Sequence, residues 1–267
     1  MKNHKIGFIG TGNIAYAIFS GNVRSGYIKP QDVTVYDTDR QKTAPFTDMG
    51  ATLSNSISAL VSECDYVFLT VKPQVYPVVL GEISALSTKA CFVDVAAGIP
   101  TSYVKNMLRY DAPVVRVMPN TPLMCSAGST ALVHTAPVSD EQFSFVKGFF
   151  DSCGVTAVVD EEYIDLITAI SGSAPAYVMR FAQNFISYAV KRGLKEEDAK
   201  LLVLQVFSGS AKMCCESDAS ISELISRVTS PGGTTQAGLS SLDNDSFDKV
   251  IENCLNATVN RAKELSK

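Results

Sequence analysis

The chain has 267 residues, 46% hydrophobic and 19% charged, with a formal net charge of −4. That length holds a full core and points to two domains. The mild acidity, without a long basic run, excludes non-specific nucleic-acid binding, which needs clustered lysine and arginine. No apolar run approaches the roughly 20 residues that span a bilayer, so no membrane partner is expected. The opening "MKNHKIGFIG" lacks the apolar centre of a secretion signal. The seven cysteines include no CxxC pair, and His4 and His134 are the only histidines, so a zinc site of usual spacing cannot be assembled. A cytoplasmic protein with free thiols, working without a metal, is expected.

"KIGFI" (5–9) reads as a short buried strand. "GTGNIA" (10–15) follows, and Ile14, Ala17, Ile18 and Val23 then recur at helical spacing up to Gly26, a usual helix terminator. "VTVYD" (33–37) is a second strand. Pro45 shortens or breaks any helix over 39–48. A helix around 55–63 leads into the strand "DYVFLTV" (65–71). Helical segments near 75–86 and 101–108 alternate with strands "CFVDVA" (91–96) and "VVRVM" (114–118). "STALVH" (129–134), a helix near 139–151 and "VTAVV" (155–159) complete the first half. The alternation predicts an α/β, Rossmann-type, doubly wound parallel sheet over residues 1–160.

After residue 160 the pattern turns helical, which predicts an all-α C-terminal domain over 161–267. "EEYIDLITAI" (161–170) carries Ile164, Ile167 and Thr168 on one side. "AYVMRFAQNFISYAVKR" (176–192) has Val178, Phe181, Phe185 and Ala189 at helical spacing. Ser173 is placed to cap it, Pro175 suits its first turn and Gly193 ends it. "EDAKLLVLQVFSGSAKMCCE" (197–216) is apolar on nearly all sides at its centre. Such a helix is buried all round, and in so small a domain a partner chain is the source of cover. A homodimer through these helices is expected, with assembly beyond a dimer left open. "SGSAPAY" (171–177) and "SPGGTT" (230–235) are the two Gly/Ser-rich breaks in the pattern.

"GTGNIA" fits G-x-G-x-x-G/A between a first strand and a first helix. Gly10 permits the tight turn, Gly12 lets backbone approach a pyrophosphate, and Ala15 is small enough for close helix–strand packing. The helix N-terminus offers N–H groups and partial positive charge to phosphate. Asp37, at the end of the second strand, is placed to accept from the ribose hydroxyls of NADH, or else is a turn residue in "YDTDR". Arg40 stands ready to pair with the 2′-phosphate of NADPH, so both cofactors stay open.

"TVKPQ" (70–74), "VAAGIP" (95–100) and "MPNTP" (118–122) each close a strand at its carboxyl end, where an open α/β sheet binds its ligand. With "FIGTGNIA", "SGSAPAY", "GSAKM" and "SPGGTT", in order along essentially the whole chain, they resemble pyrroline-5-carboxylate reductase. The sequence departs from the family at Ala174, where the family usually has Gly. The resemblance implies hydride transfer from NADPH or NADH to the cyclic imine carbon of 1-pyrroline-5-carboxylate, giving L-proline in the last step of proline synthesis. It implies cofactor contacts at Ile9, Gly10, Thr11, Gly12, Asn13, Ile14 and Ala15 along the pyrophosphate. Further contacts are implied at Val71, Lys72, Pro73, Ala96, Ala97 and Gly98 around the nicotinamide and its ribose, with Asn120 near the ring. Gly232, Gly233, Thr234 and Thr235 receive the substrate; Ser171 and Ser173 either contact it or cap a helix.

An imine carbon accepts hydride well only when its nitrogen is protonated or strongly hydrogen-bonded, so the site needs an anion cradle, exclusion of water and a donor. In "SPGGTT", Gly232 and Gly233 are expected to leave their N–H groups uncovered at the start of a helix over 233–242. Thr235 is the expected donor to the imine nitrogen, and the loop is expected to face the nicotinamide across a domain cleft. Three rival readings remain: a β-hydroxyacid dehydrogenase, a reductase of another cyclic imine, and a non-catalytic NAD(P) sensor. The first needs a lysine early in the long helix 176–192, which has only Lys191, at its far end. The sensor has no use for a second anion site.

Overall fold

Strands and helices alternate through the first half as expected; the computed structural model describes residues 4–86 and 88–265. The strands are β1 (Ile6–Ile9), β2 (Val33–Tyr36), β3 (Thr52–Leu53), β4 (Tyr66–Leu69), β5 (Cys91–Asp94), β6 (Val114–Met118), β7 (Gly128–Val133) and β8 (Gly154–Val158). They form one sheet in the order β3-β2-β1-β4-β5-β6-β7-β8. β1 pairs in parallel with β2 on one side and β4 on the other, so the strand order reverses there. A crevice opens at such a switch point, outside the carboxyl ends of the strands.

The sheet is parallel-dominated, not wholly parallel. β6 and β7 pair antiparallel, and β7 and β8 pair parallel. The cause is the length of the connection. Between Met118 and Gly128 there is only a short 3-10 turn, Thr121–Cys125, and a parallel neighbour needs a crossover of a dozen residues or more. The chain therefore folds straight back. β3 was not anticipated, because two residues carry no periodicity.

The helices of this half are α1 (Asn13–Ser25), α2 (Ala44–Thr47), α3 (Ile57–Glu63), α4 (Tyr76–Ser84), α5 (Thr101–Leu108) and α6 (Asp140–Asp151). They cover both faces of the sheet. Phe8, Val35, Phe68 and Val93 point to one face, against Ile18 and Phe19 of α1, Phe46 of α2 and Phe149 and Phe150 of α6. Ile9, Val67, Leu69 and Phe92 point to the other, against α3, α4 and α5 through Leu60, Leu80 and Val104. Alternate residues of each strand thus feed two cores, which is why the strands read as continuous apolar runs.

The expected helix over 161–170 is three short pieces: a 3-10 turn, Glu161–Tyr163, then α7 (Ile164–Ile167), then a π-helical turn, Thr168–Gly172. That turn runs straight into α8 (Ala174–Val190), so "SGSAPAY" does not interrupt the helix. α9 (Glu196–Glu216), α10 (Ile221–Arg227), α11 (Thr234–Asn244) and α12 (Phe247–Leu265) follow; α12 was not resolved from the sequence pattern.

The chain divides into two compact units. One holds the residues up to Pro175 together with those from Ala257 onward; the other is Ala176–Asn256. The expected boundary at residue 160 falls inside the first unit. In the second unit only Ala182, Ala199 and Leu224 are buried among the described apolar residues. Phe181 meets Phe247 edge to face, and Phe185 meets Phe207 likewise. The apolar centre of α9 lies outside: Leu201 is 71% exposed and Leu202 and Val206 are 60% exposed.

Candidate active site

At the crevice beside β1, Gly10 takes φ +95°, and a Cβ there would lie 2.8 Å from the Thr70 carbonyl oxygen. Only glycine suits that backbone. The Gly10 N–H donates to Tyr36 O at 2.8 Å, and Thr70 Oγ1 donates toward Ile9 O and Gly10 O at 2.9 and 2.7 Å. The turn is therefore clamped between β2 and β4. Above Gly12 there is open space: an added Cβ would meet nothing within 4 Å. Gly12 caps α1, which has no side-chain cap and no acid in its first turn. Its leading N–H groups and the positive end of its dipole are left for an anion.

Ile9, Gly10, Gly12, Asn13, Asp37, Val71 and Lys72 line one cavity of about 560 Å³. Ile14 and Ala15 lie on the core side of α1; Ala15 is buried, as close packing requires. Pro73 starts a 3-10 turn, Pro73–Val75, and Lys72 is exposed just before it. Asp37 does something the sequence did not reveal. Its Oδ2 accepts from Thr11 N–H at 2.8 Å and from Thr11 Oγ1 at 3.0 Å, and its Oδ1 accepts from Asp39 N–H. Burial raises this carboxyl, but the Thr11 and Asp39 donors and nearby Lys42 outweigh it and hold the group below the usual carboxylate value. Beside Asp37, the cation on the cavity wall is Lys42 rather than Arg40. The 3-10 turn Arg40–Thr43 places it there, and no helical or strand periodicity announces that.

A second polar cluster lies at the end of β5. Asp94 is fully buried; its Oδ1 accepts from the Tyr76 hydroxyl at 2.5 Å and from Ala96 N–H at 3.0 Å. Burial pushes the Asp94 carboxyl up to about 6, against the opposing pull of Tyr76, the Ala96 N–H and Arg116. Its cross-strand neighbour Arg116 pairs with Glu161 at 3.0 Å, and Glu161 in turn accepts from the N–H and hydroxyl of Thr101. Sequence reading missed all five side chains. One signal was present: an acid inside the apolar run "CFVDVA".

Asn120 is buried, and its amide is engaged. Oδ1 accepts from Ser129 N–H at 2.9 Å, and Nδ2 donates to Ser171 O at 3.3 Å. The Ser171 hydroxyl donates to Ser129 Oγ at 3.1 Å. Asn120 thus joins the end of β6 to the start of β7 and to the π-turn. Ser173 lies within continuous helical backbone, its N–H bonded to Thr168 O, and so does not stand at a free helix start.

In the second unit, "SPGGTT" departs from expectation in one respect. The Gly232 N–H donates to Gln236 Oε1 at 2.6 Å, and the Gly233 N–H donates to Ser230 O at 3.0 Å. Neither glycine N–H is uncovered. Gly233 caps α11 without a side-chain bond, and the first turn holds no acid, so its leading N–H groups belong to Thr234, Thr235 and Gln236. Three other helix starts differ, while α2 and α4, also without cap or acid, continue directly from 3-10 turns. Ser220 caps α10 with a capping box, α9 opens on Glu196, Glu197 and Asp198, and Glu161 occupies the start of α5.

A family described as pyrroline-5-carboxylate reductase dimerisation matches residues 161–265, and one described as NADP oxidoreductase, coenzyme F420-dependent, matches residues 5–98. The pyrroline-5-carboxylate reductase of Staphylococcus aureus strain COL is 32% identical over 265 residues, 98% of each chain. The chain belongs to the pyrroline-5-carboxylate reductase family. Two solved reductases share its architecture. That of Plasmodium falciparum with NADP bound has a TM-score of 0.93 at 31% identity, covering 100% of both chains. That of Coxiella burnetii has a TM-score of 0.88 at 33% identity, also covering 100% of both. Reductases of this family are NAD(P)H-dependent oxidoreductases. The crevice fits such a cofactor on its own evidence: a strained glycine turn, a cradle at Gly12 that a Cβ would begin to fill, and an uncapped helix start.

Proposed function

We propose that this chain reduces 1-pyrroline-5-carboxylate to L-proline with hydride from NADPH or NADH, the last step of proline biosynthesis. The observation that carries the reading is a pair of helix starts, α1 and α11, with neither side-chain cap nor first-turn acid. The reaction brings two anions, the cofactor pyrophosphate and the substrate carboxylate, and each start suits one of them.

The reduced nicotinamide supplies the hydride. Gly10 to Asn13 hold the pyrophosphate with Ile14 and Ala15 packed beneath them, and Val71, Lys72 and Pro73 with Ala96, Ala97 and Gly98 line the nicotinamide end. The N–H groups of Thr234 to Gln236 bind the substrate carboxylate, and the glycines of "SPGGTT" shape the turn that presents them. Thr235 donates to the imine nitrogen. A threonine hydroxyl is too weak an acid to surrender its proton unaided, so it passes on a proton from water while stabilising the developing amine. Asn120 acts through Ser171 and Ser129 and positions the backbone around them.

The exposed apolar faces of α8 and α9 support a homodimer through the helical unit. No helix among the described residues is long and apolar enough to cross a membrane. The free thiols support a cytoplasmic enzyme. The deciding assay is absorbance at 340 nm with 1-pyrroline-5-carboxylate and either cofactor. Oxidation of at least one is expected; no oxidation of either sinks the proposal.

Cofactor preference is read at Asp37. Replacing it by serine, Asp37→Ser, removes a negative charge beside Lys42. The ratio of kcat/KM for NADPH over NADH should rise about tenfold, equivalent to about 1.4 kcal/mol for one like charge near the 2′-phosphate. An unchanged ratio with lower affinity for both cofactors would make Asp37 a staple of the Thr11 turn and nothing more.

A further inference from the structure

The turn after β5, Val95 to Gly98, has its conformation set from below. Gly98 takes φ +77°, and a Cβ there would lie 2.8 Å from Ala262 O and from Leu265 Cβ, so the turn is confined on that side. Among the described residues, one side chain bonds to its backbone: Asp94 Oδ1 accepts from Ala96 N–H. That same oxygen accepts from Tyr76, whose ring is 1% exposed and whose hydroxyl also lies 3.1 Å from Leu69 O. Asp94 and Leu69 are register partners on β5 and β4. Tyr76 thus bridges the end of β4, the end of β5 and, through the carboxylate, the turn. Asp94 Oδ2 has no hydrogen-bond partner among the described residues.

A buried carboxylate with one empty oxygen is costly. A hydrophobic residue at 94 would fill the space without that cost but would offer nothing to Ala96. We propose that Asp94 and Tyr76 are a positioning pair for hydride transfer: the carboxylate fixes the Ala96 N–H, and the phenol fixes the carboxylate, so that the turn presents a rigid floor to the nicotinamide. The inference rests on the proposed placement of Ala96 to Gly98 beside the nicotinamide.

The pair has a pH signature. The charged and titratable groups that face Asp94 are Tyr76 from α4, Arg116 from β6 and Glu161 from the turn after β8. Tyr76 lies far above its ordinary value, Arg116 is a permanent cation, and Glu161 lies below its usual value because its Thr101 and Arg116 partners outweigh its burial. Of the four, Asp94 is the one that changes charge near pH 6. The neutral acid is a weaker acceptor than the carboxylate, so the Ala96 bond loosens and hydride transfer slows as pH falls through about 6. Loss of the phenol removes a donor to the charged form and raises the carboxyl further.

The test uses the full-length enzyme and the variants Tyr76→Phe and Asp94→Asn, with single-turnover hydride transfer followed from pH 5 to 8. Tyr76→Phe is expected to move the acid-side loss upward by roughly one pH unit. Asp94→Asn is expected to lack that loss while transferring hydride several-fold more slowly at pH 8. Substrate and cofactor titrate alike in every variant, so the differences belong to the protein. Binding of NADPH is compared with binding of 2′-phospho-ADP-ribose, which lacks the nicotinamide; only the whole dinucleotide should weaken. Identical pH profiles in all three proteins overturn the positioning role, even if melting temperatures fall. Ala97→Val separates the two levels. If that added bulk leaves NADPH binding unchanged relative to the fragment, the placement of the turn beside the nicotinamide fails. If it weakens NADPH while Tyr76→Phe and Asp94→Asn do not, the placement stands and the pair is overturned.

Discussion

Thr235→Ala is expected to lower turnover with 1-pyrroline-5-carboxylate by roughly 10²–10³, the usual cost of removing one preorganised donor from a reacting centre. The affinity for NADPH or NADH should not change. Thr235 is an exposed residue in the first turn of α11, and among the described residues its side chain makes no hydrogen bond. Exposed threonine to alanine within a helix costs nothing in propensity and alters stability by about 0.5 kcal/mol at most. A fall in rate with an unchanged melting temperature therefore reports chemistry rather than folding. Thr235→Ser should recover most of the rate, because it restores the hydroxyl. Steady-state kinetics on Thr234→Ala, run beside it, identify which hydroxyl meets the nitrogen. If Thr235→Ala turns over within threefold of the parent and Thr234→Ala does not, the donor is Thr234.

Gly10→Ala should damage both stability and cofactor binding, and Gly12→Ala should damage binding alone. The two glycines share one motif but face different surroundings. Gly10 sits in the left-handed region, where an L side chain costs roughly 1–2 kcal/mol, and its Cβ would press on the Thr70 backbone and on Val71 Cγ1 at 2.8 Å. Strain and overpacking together come to about 3 kcal/mol, read as a lower midpoint in urea unfolding. Gly12 has φ −74° and open space around a would-be Cβ. Alanine there fits the protein, and the methyl group meets only what binds over it. Dinucleotide affinity should fall at least tenfold in Gly12→Ala, with unfolding unchanged. Equal affinity in Gly12→Ala and the parent would mean that the pyrophosphate does not cross this point.

The part of the fold that the sequence displays is the part governed by periodicity. Runs such as "DYVFLTV" are buried on both faces and bounded by polar turns, so strands and crossovers could be placed within a few residues. The reversal of β7 has no periodic signature. It follows from the shortness of the link 119–127, which acts as a distance constraint rather than a pattern. The helical break expected at "SGSAPAY" failed for a different reason. Ser171, Gly172 and Ser173 are poor helix formers, but a π-turn accommodates them, and the Ser171 carbonyl accepts from Asn120. Tertiary contact overrode local preference.

The candidate site divides in the same way. Gly10 was legible because its backbone leaves glycine no substitute, and Gly12 because a ligand must approach where its side chain would stand. The bonds of Asp37 to Thr11 were not legible, since they join residues 26 apart in sequence. The Asp94–Tyr76 pair was hidden because its partners lie on different elements, and the buried tyrosine reads as one more apolar residue before Pro77. The uncovered N–H groups of "SPGGTT" begin at Thr234, two residues later than expected. Gln236 reaches back to Gly232, a contact that depends on where the helix begins.

The outward-facing leucines of α9 carry a consequence of mass action. A unit that buries Ala182, Ala199 and Leu224 and exposes Leu201, Leu202 and Val206 cannot be held together by its own interior. With a second copy as cover, unfolding separates two chains, and its midpoint depends on how much protein is present. Each tenfold dilution should remove about 1.4 kcal/mol per dimer, so melting curves recorded at successive dilutions should march to lower temperature. A midpoint independent of concentration would mean that something other than a second copy covers those leucines. For the cell, a homodimer of this kind would make expression level a determinant of stability: a scarce chain would also be a less folded one.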